Sequence, residues 1–309
     1  MIKLNYLWIF LILIAILFAT NTATNAQKGN DKPLGLSDIY DVVPDLANCN
    51  EGALKDSEKM KILAVINQIR SFHGLKPVTY DYAGDTKAMK SSLVCAANGN
   101  LSHNPPTSWK CYSKDADDGA VNSNLYIQSY MSPTQLPVSE NSIVSWMYDN
   151  TTVNVGHRRA IMNPFVTKMS FGRADGMYQS FYVTAMSLKY LDNMPGNLSG
   201  NDIDYVAYPQ NDYPPSLFDN NWYLSFSCFY DKAKWGNNTN VDYSAATIDM
   251  KKEGTSTSVQ VLEQIFDLQG WGGIVNCLKW KVPTLEQGVK YNVTLSNVKV
   301  NGVTKSYSY

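Results

Sequence analysis

The spacing of apolar residues changes near residue 194, and this change constrains the fold of the chain more than any other feature. Before it, Ile62, Ile66 and Ile69 recur at intervals of three and four residues, which is typical of the buried face of a helix. After the segment 194–197, which contains Pro and Gly, short runs of β-branched and aromatic residues alternate with turn signals. The pattern predicts an α+β chain with a mixed domain over residues 57–193 and a β-rich domain over 194–309.

Capping and stop signals place the helices and strands of the first domain. The first helix should begin at Asp56 or Ser57, either of which can cap it, and should end at Gly74. Three more helices are expected near residues 86–97, 116–128 and 139–148. Two strands should follow, over residues 168–171 and 179–188, joined by a turn at 172–176.

The second domain has its clearest local signal at its end. Asn301-Gly302 separates two strand-like runs and tolerates the positive φ angles of a type I′ turn, so a hairpin is predicted there. Further strands are expected over residues 222–230, 241–250, 274–282 and 289–300. Several short strands with turns between them favour an all-β sandwich. By analogy of fold alone, this region resembles an immunoglobulin-like accessory module.

The first 26 residues have the pattern of a secretory signal peptide. Lys3 precedes an unbroken apolar run of 14 residues from Tyr6 to Ala19, whereas a membrane-spanning helix needs about 20. Small residues precede the expected cleavage after Ala26. We therefore expect a secreted protein, or a periplasmic one in a Gram-negative bacterium, with no stable membrane span after cleavage. Residues 27–56 are polar and aperiodic, and are predicted to form a flexible lead-in.

The charge balance argues against a nucleic-acid partner. The chain has a net charge of −1, and loss of residues 1–26, which contain Lys3 and no acidic residue, changes it to −2. A slightly acidic chain is not expected to attract phosphate groups or an anionic membrane.

The chain contains five cysteines and no Cys-x-x-Cys motif. Export to an oxidising compartment would favour disulfide formation. From their neighbourhoods in the sequence we expect Cys95 to pair with Cys111 and Cys228 to pair with Cys277, which leaves Cys49 unpaired. Other pairings stay open at this point, because spacing alone does not fix connectivity.

Five short motifs occur in order within residues 57–190. They are Ile66-Asn67-Gln68-Ile69-Arg70 with His73-Gly74-Leu75-Lys76-Pro77-Val78, then Leu101-Ser102-His103, Ser123-Asn124-Leu125, Val144-Ser145-Trp146, and Gly156-His157-Arg158-Arg159-Ala160-Ile161-Met162-Asn163-Pro164. In order and spacing they resemble the CAP superfamily, named for cysteine-rich secretory proteins, antigen 5 and pathogenesis-related proteins, whose common unit is the SCP domain. Gly-His-Arg-Arg followed by Asn-Pro is most similar to microbial members.

The resemblance implies a three-layer α-β-α sandwich whose cleft often holds two histidines and two acidic residues that can bind a divalent metal. Carried over by position, the histidines are His103 and His157, and the acidic positions fall on Ser123 and Asp149. Since Ser123 is not acidic, His103, Asp149 and His157 would be a minimal set of zinc ligands with an open fourth position. We expect the two histidines on facing loops and Asp149 directed at His157. Ser123→Glu should then tighten zinc binding.

Two functions from different classes fit these residues. The first is a secreted, non-enzymatic binding protein that uses the cleft around His103 and His157 for a small ligand, a lipid or a cell-wall fragment. The alternative is a metal-dependent hydrolase of peptide or cell-wall substrates. Because Ser123 supplies no carboxylate, Asp149 would have to act as ligand and base together, and we favour the binding protein. Whether the protein is an enzyme stays open at this point.

Two further groups of residues have a structural interpretation. His73 continues the apolar face of the first helix and is expected in the core or at the helix end rather than in a site. Five aromatic residues at the start of the second domain either stack on sugars or pack in the interdomain contact and at the edge of the sandwich, and we favour packing. They are Tyr205, Tyr208, Tyr213, Trp222 and Tyr223.

Overall fold

The computed structural model of the protein describes residues 34–198, 200 and 202–309. The predicted signal peptide and the first residues of the predicted lead-in lie outside these ranges. Residues 34–309 form one compact unit. None of the helices within the described ranges has both the length and the apolar character that a membrane-spanning segment requires. Below, residues 34–193 are called the helical part, and the described residues from 194 to 309 are called the β-rich part.

The helical part combines six α-helices and six strands among its residues. The helices are α1 (Leu36–Ile39), α2 (Asp56–Phe72), α3 (Asp85–Asn98), α4 (Lys114–Val121), α5 (Glu140–Tyr148) and α6 (Gly156–Ile161). The strands are β1 (Tyr40–Val42), β2 (Ala53–Leu54), β3 (Thr79–Tyr80), β4 (Ser123–Tyr130), β5 (Lys168–Tyr178) and β6 (Phe181–Lys189). β1 and β2 form a small antiparallel sheet, and β3 to β6 form a second sheet.

The second sheet has four strands in the order β3-β5-β6-β4. β6 is antiparallel to β5 and β4, whereas β3 is parallel to β5. Helix α3 approaches β5 closely because Gly172 has no side chain: a Cβ there would lie 2.1 Å from the carbonyl oxygen of Ala88. The predicted turn at 172–176 is therefore wrong, since Gly172 serves helix packing inside a continuous strand. The chain turns instead at Gln179, whose φ is 54°.

The other side of β5 carries a buried network of charged and hydroxyl groups. Because side chains alternate along a strand, Arg173 and Asp175 point away from α3. Arg173 donates to the two oxygens of Asp175 at 2.7 and 3.0 Å and to the hydroxyl of Ser139, just before α5, at 2.8 Å. The Tyr40 hydroxyl donates to Asp175 Oδ2 at 2.5 Å. The network therefore joins β5 to β1 and to the start of α5.

Two predicted helices differ from the structure at their ends. Lys55 is the N-cap of α2 and no side chain caps it, so Asp56 and Ser57 lie inside the first turn. The predicted end is confirmed by Gly74, whose φ is 66°. Helix α4 ends at Val121, and residues 123–128, which we expected to continue it, belong to β4. Pairing with β6 along the whole of β4 stabilises these residues as a strand, although only Tyr126 and Ile127 among them favour strands by residue type.

The described residues of the predicted lead-in are not flexible but folded. α1, β1 and β2 lie within residues 36–54, and Tyr40, Leu46 and Leu54 are each at most 7% exposed. Leu46 belongs to the core cluster formed by α3 and the sheet. The prediction was wrong because single apolar residues in a polar, aperiodic segment can still be buried against other elements, as Leu46 is.

The disulfide pairing also corrects the prediction. Cys49 is bonded to Cys111, with Cα atoms 5.1 Å apart, and Cys95, Cys228 and Cys277 are buried free thiols. Cys95 is 1% exposed because it faces the core from α3. Cys228 and Cys277 lie in two different buried clusters. The expected Cys95–Cys111 and Cys228–Cys277 pairs are therefore wrong, because those side chains pack into cores instead of meeting.

The β-rich part contains eight strands among its described residues, in two four-stranded sheets. They are β7 (Tyr205–Tyr208), β8 (Leu224–Cys228), β9 (Val241–Asp242), β10 (Thr247–Lys252), β11 (Glu263–Asp267), β12 (Cys277–Lys281), β13 (Tyr291–Val300) and β14 (Val303–Ser308). One sheet has the order β11-β12-β8-β7, and the other the order β10-β13-β14, with β9 paired to β13. Phe226 and Trp280 of the first sheet share a buried cluster with Leu295 and Val298 of the second.

The predicted terminal hairpin is confirmed. β13 and β14 are antiparallel and joined through Asn301 and Gly302, whose φ angles are 48° and 80°. Positive φ at both central residues is the geometry of a type I′ turn, which Asn-Gly adopts readily.

Candidate functional site

A cavity of about 330 Å³ lies where the loop after α3 meets β4, α5 and the start of α6. Its lining residues are Leu101, Ser102, His103, Leu125, Tyr126, Ile127, Ser145, Trp146, Thr151 and His157. The fold therefore brings the two predicted cleft histidines to one cavity, although 54 positions separate them in the sequence.

A buried carboxylate fixes His157. The histidine lies in the first turn of α6, and its Nδ1 is 2.9 Å from Asp149 Oδ1. Asp149 follows α5 with a left-handed φ of 47° and is 1% exposed. The hydroxyl of Thr152 and the backbone N–H of Arg158 donate to the same carboxylate at 2.9 and 3.2 Å. Asp149 is thus directed at His157, as expected, and is itself held by two further donors.

A backbone carbonyl fixes His103. Its Nδ1 is 2.9 Å from the carbonyl oxygen of Ala120. Since a carbonyl or a carboxylate oxygen only accepts, Nδ1 carries the proton in both His103 and His157. In the neutral rings Nε2 is then an unprotonated acceptor. Because both side chains line the cavity, these two Nε2 atoms are the ones available to a ligand.

Ser123 does not contribute to the cavity lining. It is 4% exposed at the start of β4, and its hydroxyl donates to the carbonyl oxygen of Gly119 at 2.6 Å. In this position it neither replaces the missing carboxylate of the cleft nor faces the histidines as a nucleophile. Of the four predicted cleft residues, two line the cavity, Asp149 supports one of them, and Ser123 is turned elsewhere.

Two residues that we did not predict as functional hold the site together. The side chain of Asn124, which is 2% exposed, donates to the carbonyl oxygen of His157 at 2.9 Å. The indole N–H of Trp146 donates to the carbonyl oxygen of Leu125 at 3.0 Å and so ties α5 to β4. Asn124 and Trp146 both lie inside motifs that carry the family resemblance, Ser-Asn-Leu and Val-Ser-Trp, and this position in the motifs is the signal that the sequence contains for them.

The predicted zinc ligands do not form a three-ligand group. Within residues 34–198, 200 and 202–309, no cluster of three or more His, Cys, Asp or Glu side chains is arranged to hold a metal ion. The reason is that Asp149 accepts the Nδ1–H of His157 and so lies behind the imidazole. The Nδ1 contacts of the two rings are those of metal-bound histidines, which commonly donate their other N–H to a carboxylate or a carbonyl. A metal there would have His103 and His157 as its protein ligands.

His73, the third histidine, is buried away from the cavity. It is 2% exposed, and its ring centroid lies 5.4 Å from that of Tyr213. Burial lowers the pKa of His73 to about 4, so its imidazole is neutral at pH 7. The expectation that His73 belongs to the core agrees with this position.

The aromatic residues that begin the β-rich part pack against other groups. Tyr208 and Tyr223 are 0% and 3% exposed. The guanidinium of Arg158 lies 3.6 Å from the centroid of the Tyr208 ring, and Tyr205 stacks on Phe226 with centroids 5.3 Å apart. The Arg158–Tyr208 contact joins the two parts and the Tyr205–Phe226 stack lies within the β-rich part, so both agree with packing rather than with a sugar-stacking platform.

Residues 63–187 match the model of the family described as the cysteine-rich secretory protein family, CAP. The helical part of this chain therefore contains a CAP domain, as its motifs predicted. The matched range runs from α2 to β6 and includes His103, Asp149 and His157.

Among solved structures, the chain is similar to an extracellular protein containing a SCP domain from Bacillus anthracis str. Ames, with 19% sequence identity and a TM-score of 0.25. The similarity covers 43% of this chain and 41% of that one, so the chain spans less than half of that protein's length. No curated protein matches the chain.

Proposed function

We propose that the protein is an exported, non-enzymatic binding protein whose cavity between His103 and His157 takes a small amphipathic ligand, a lipid or a cell-wall fragment. The observation that carries the proposal is the hydrogen bonding of the two imidazoles. Each has Nδ1 within 2.9 Å of a protein oxygen, which leaves Nε2 as a fixed acceptor for the ligand. Fixed acceptors in a cavity provide orientation and specificity.

The remaining walls narrow the chemistry of the ligand. Leu101, Leu125, Ile127 and Trp146 supply apolar surface, and four hydroxyl-bearing residues lie between them. Small-molecule sites commonly enclose about 300–1,000 Å³, and this cavity has about 330 Å³. A compact ligand fits if it has an apolar body and hydroxyl or amide groups that donate to the two imidazoles.

Acid-base and nucleophilic chemistry are less well supported. Asp149 is 1% exposed and already accepts hydrogen bonds from His157, Thr152 and Arg158. A nucleophilic hydroxyl needs a base within hydrogen-bonding reach, but that of Ser123 donates to a backbone carbonyl at 2.6 Å. These contacts favour binding over hydrolysis.

Export and the finer architecture belong to the same proposal. The Cys49–Cys111 disulfide supports export, because such bonds persist in oxidising compartments. We propose that α3 on one side of the sheet and α5 near the other form the three-layer α-β-α sandwich of the family. The shared core of the two sheets in the β-rich part supports an immunoglobulin-like sandwich.

Calorimetry with a defined ligand panel tests the proposal. The panel contains a long-chain fatty alcohol, a monoacylglycerol and a short oligomer of N-acetylglucosamine. The proteins are the wild type, His103→Ala, His157→Ala and, as a control, Asn104→Ala, which changes an exposed neighbour of His103. We expect one panel member to bind the wild type and the control, and to lose about tenfold in affinity with each histidine variant, because one hydrogen bond is removed. Equal affinities in all four proteins, or no binding by any panel member, would contradict the proposal.

The alternative function is a metal-dependent hydrolase, and the two Nε2 acceptors are the observation that favours it. Zinc bound there would polarise a water molecule. With two protein ligands we expect weak zinc binding, and Ser123→Glu should not tighten it, because position 123 faces Gly119. Turnover of casein or cell-wall material by the wild type tests this alternative. If that turnover is lost both with a chelator and in His157→Ala, the protein is a metal-dependent hydrolase and our proposal of a binding protein is wrong.

A further inference from the structure

Arg158, the residue after His157, turns away from the cavity and contacts the β-rich part. It is 0% exposed. Its guanidinium donates to the carbonyl oxygen of Tyr223 at 2.7 Å and lies 3.6 Å from the centroid of the Tyr208 ring. A cation over an aromatic face is attracted to it, most strongly where water is excluded.

Arg159 contacts the same part through a different set of groups. It is 1% exposed and forms an ion pair with Asp267, Nη1 to Oδ1 at 2.9 Å. It also donates to the carbonyl oxygen of Gln269 at 2.9 Å and to that of Ile274. The Gly-His-Arg-Arg motif therefore gives one side chain to the cavity and two to the β-rich part.

The same two arginines hold the backbone around His157. Arg158 donates from its guanidinium to the carbonyl oxygens of Met147 and Tyr148, at 2.7 and 2.6 Å, which are the last of α5. Its backbone N–H donates to Asp149, the carboxylate that fixes His157. Arg159 donates to the carbonyl oxygen of Asn154 at 3.2 Å, just before α6. Both ends of the loop that connects α5 to His157 are thus fixed by side chains that also contact the β-rich part.

Asp267 balances more charge than one arginine. Its Oδ2 is 2.6 Å from Lys279 Nζ, so one carboxylate serves two cations whose side chains are 1% and 3% exposed. Removing a partner from a buried ion pair leaves an uncompensated charge, which is strongly destabilising locally. Loss of the Asp267 charge would leave Arg159 and Lys279 buried side by side without a counter-ion.

We propose that the β-rich part supports the ligand cavity from outside without lining it, and that Asp267 positions His157 by neutralising Arg159. Asp267 does not line the cavity and acts through Arg159 and the start of α6. The inference rests on the proposed function only in that His157 is taken to contact the ligand.

Chemical modification of the histidines tests this without any ligand. Diethyl pyrocarbonate acylates unprotonated imidazole nitrogen, and mass spectrometry of peptides gives one rate for each of the three histidines. His103 is the internal reference, because Ala120 of the helical part holds it. In Asp267→Asn, we expect the rate at His157 relative to His103 to rise about threefold or more, since the segment around α6 opens more often. The Hε1 resonance of His157 should shift, and that of His103 should not.

Two variants make the result specific. Lys279→Met removes a partner of Asp267 but leaves Arg159 paired, so the His157 rate should stay at the wild-type value. Asp267→Glu keeps the charge and should restore most of the wild-type rate. If Asp267→Asn alone does not fold, Asp267→Asn with Lys279→Met carries the test, because it leaves one unpaired cation instead of two.

An unchanged His157 rate and resonance in folded Asp267→Asn would overturn the inference. An equal change in Asp267→Asn and Lys279→Met would also overturn it, because the effect would then not pass through Arg159. Failure of the ligand panel with the wild type would instead overturn the proposed function and leave the modification result standing.

Discussion

The two parts of the protein bury polar groups in different ways. The chain has four arginines, Arg70, Arg158, Arg159 and Arg173, and all of them lie in the helical part. Each is at most 1% exposed. The helical part thus places its guanidinium groups inside the protein, where each donates to several oxygens.

Apart from the Asp267–Lys279 ion pair, which also contacts Arg159, the β-rich part buries a neutral network. The amide of Asn276, which is 0% exposed, donates to the carbonyl oxygens of Cys228 and Asn238 at 2.9 Å each. Its Oδ1 accepts from the hydroxyl of Tyr243 at 2.6 Å and from the backbone N–H of Cys228 at 3.1 Å. One amide side chain therefore satisfies four groups without any charge.

The difference follows from what each backbone leaves unsatisfied. Paired strands satisfy most of their own backbone groups, so the β-rich part needs only a local bridge. The helical part has helix ends and irregular loops with carbonyls that lack partners, and guanidinium offers five donors in a fixed fork. The cavity lies in the part held by charge, and the boundary between the parts is where Arg158 and Arg159 reach the β-rich part.

The largest expected effect comes from removing one of the buried guanidinium groups. Arg70 donates to the carbonyl oxygens of Lys76, Ile161 and Asn163 at 2.8–2.9 Å. Burial lowers the pKa of Arg70 to about 10, so it is still charged at pH 7. Arg70→Met should cost about 4 kcal/mol in the free energy of unfolding, because three buried carbonyls lose their donor. Urea unfolding measures this, with exposed Lys290→Met as the control, and a cost below about 1 kcal/mol would contradict the role of charge in this part.

The next largest effect concerns a crosslink that the structure places in the helical part. Changing both Cys49 and Cys111 to Ser should cost about 3 kcal/mol, since the bond closes a loop with a sequence separation of 62. Alkylation in denaturant without a reductant should label Cys95, Cys228 and Cys277. Peptide mapping that finds Cys95 bonded to Cys111 would contradict the structure and restore the prediction from sequence.

The sequence predicted the fold best where the signal is local. The Asn-Gly hairpin and the end of α2 at Gly74 depend on φ angles that few residues adopt, so the residue type reveals them. Gly172 shows the limit of this reasoning. A glycine is required at position 172 because the backbone of Ala88 in α3 approaches it closely. The residues next to Gly172 in the sequence do not indicate that contact.

The site was predicted only in part for a related reason. The motifs identified His103, Asp149 and His157, and the structure brings the histidines to one cavity. Sequence position did not show that Asp149 lies behind His157 or that Ser123 faces Gly119, because both depend on side-chain direction. The hydrogen-bond partners of the two arginines after His157 in the β-rich part lie 65 to 115 residues later in the chain, beyond the reach of a local motif.

A titratable group at the boundary gives the third effect. His73 has a pKa of about 4 in the folded protein because it is buried, and Arg70 and Arg158 also disfavour its protonation. The unfolded pKa is higher, at about 6.5, so the unfolded state binds more protons between these values. The stability contributed by neutral His73 is therefore complete above about pH 6.5 and is lost as the pH falls toward about 4.

At pH 5 this loss should amount to about 2 kcal/mol relative to pH 8. Urea unfolding of the wild type and of His73→Gln at both values measures it, because the variant keeps every other titratable group. The variant should lose about 2 kcal/mol less than the wild type over this range. Equal pH dependence in the two proteins would show that His73 is not buried in its neutral form.

The smallest effect tests the comparison most directly, because it removes the same atom from each part. The Tyr40 hydroxyl donates to the carboxylate of Asp175 at 2.5 Å, and the Tyr243 hydroxyl donates to the amide oxygen of Asn276 at 2.6 Å. Both tyrosines are at most 3% exposed. Each acceptor keeps another donor when the hydroxyl is removed, namely Arg173 on Asp175 and the backbone N–H of Cys228 on Asn276.

Tyr40→Phe should therefore cost about 2 kcal/mol and Tyr243→Phe about 1 kcal/mol, since a hydrogen bond to a charged acceptor contributes roughly twice as much as one to a neutral acceptor. The two variants are compared by urea unfolding at pH 7, with the slope of the free energy against urea checked for constancy. Equal costs would show that the carboxylate network of the helical part behaves energetically like the neutral network. A larger cost for Tyr243→Phe would reverse the comparison, and the amide network would then hold its part of the protein more strongly than the charges hold theirs.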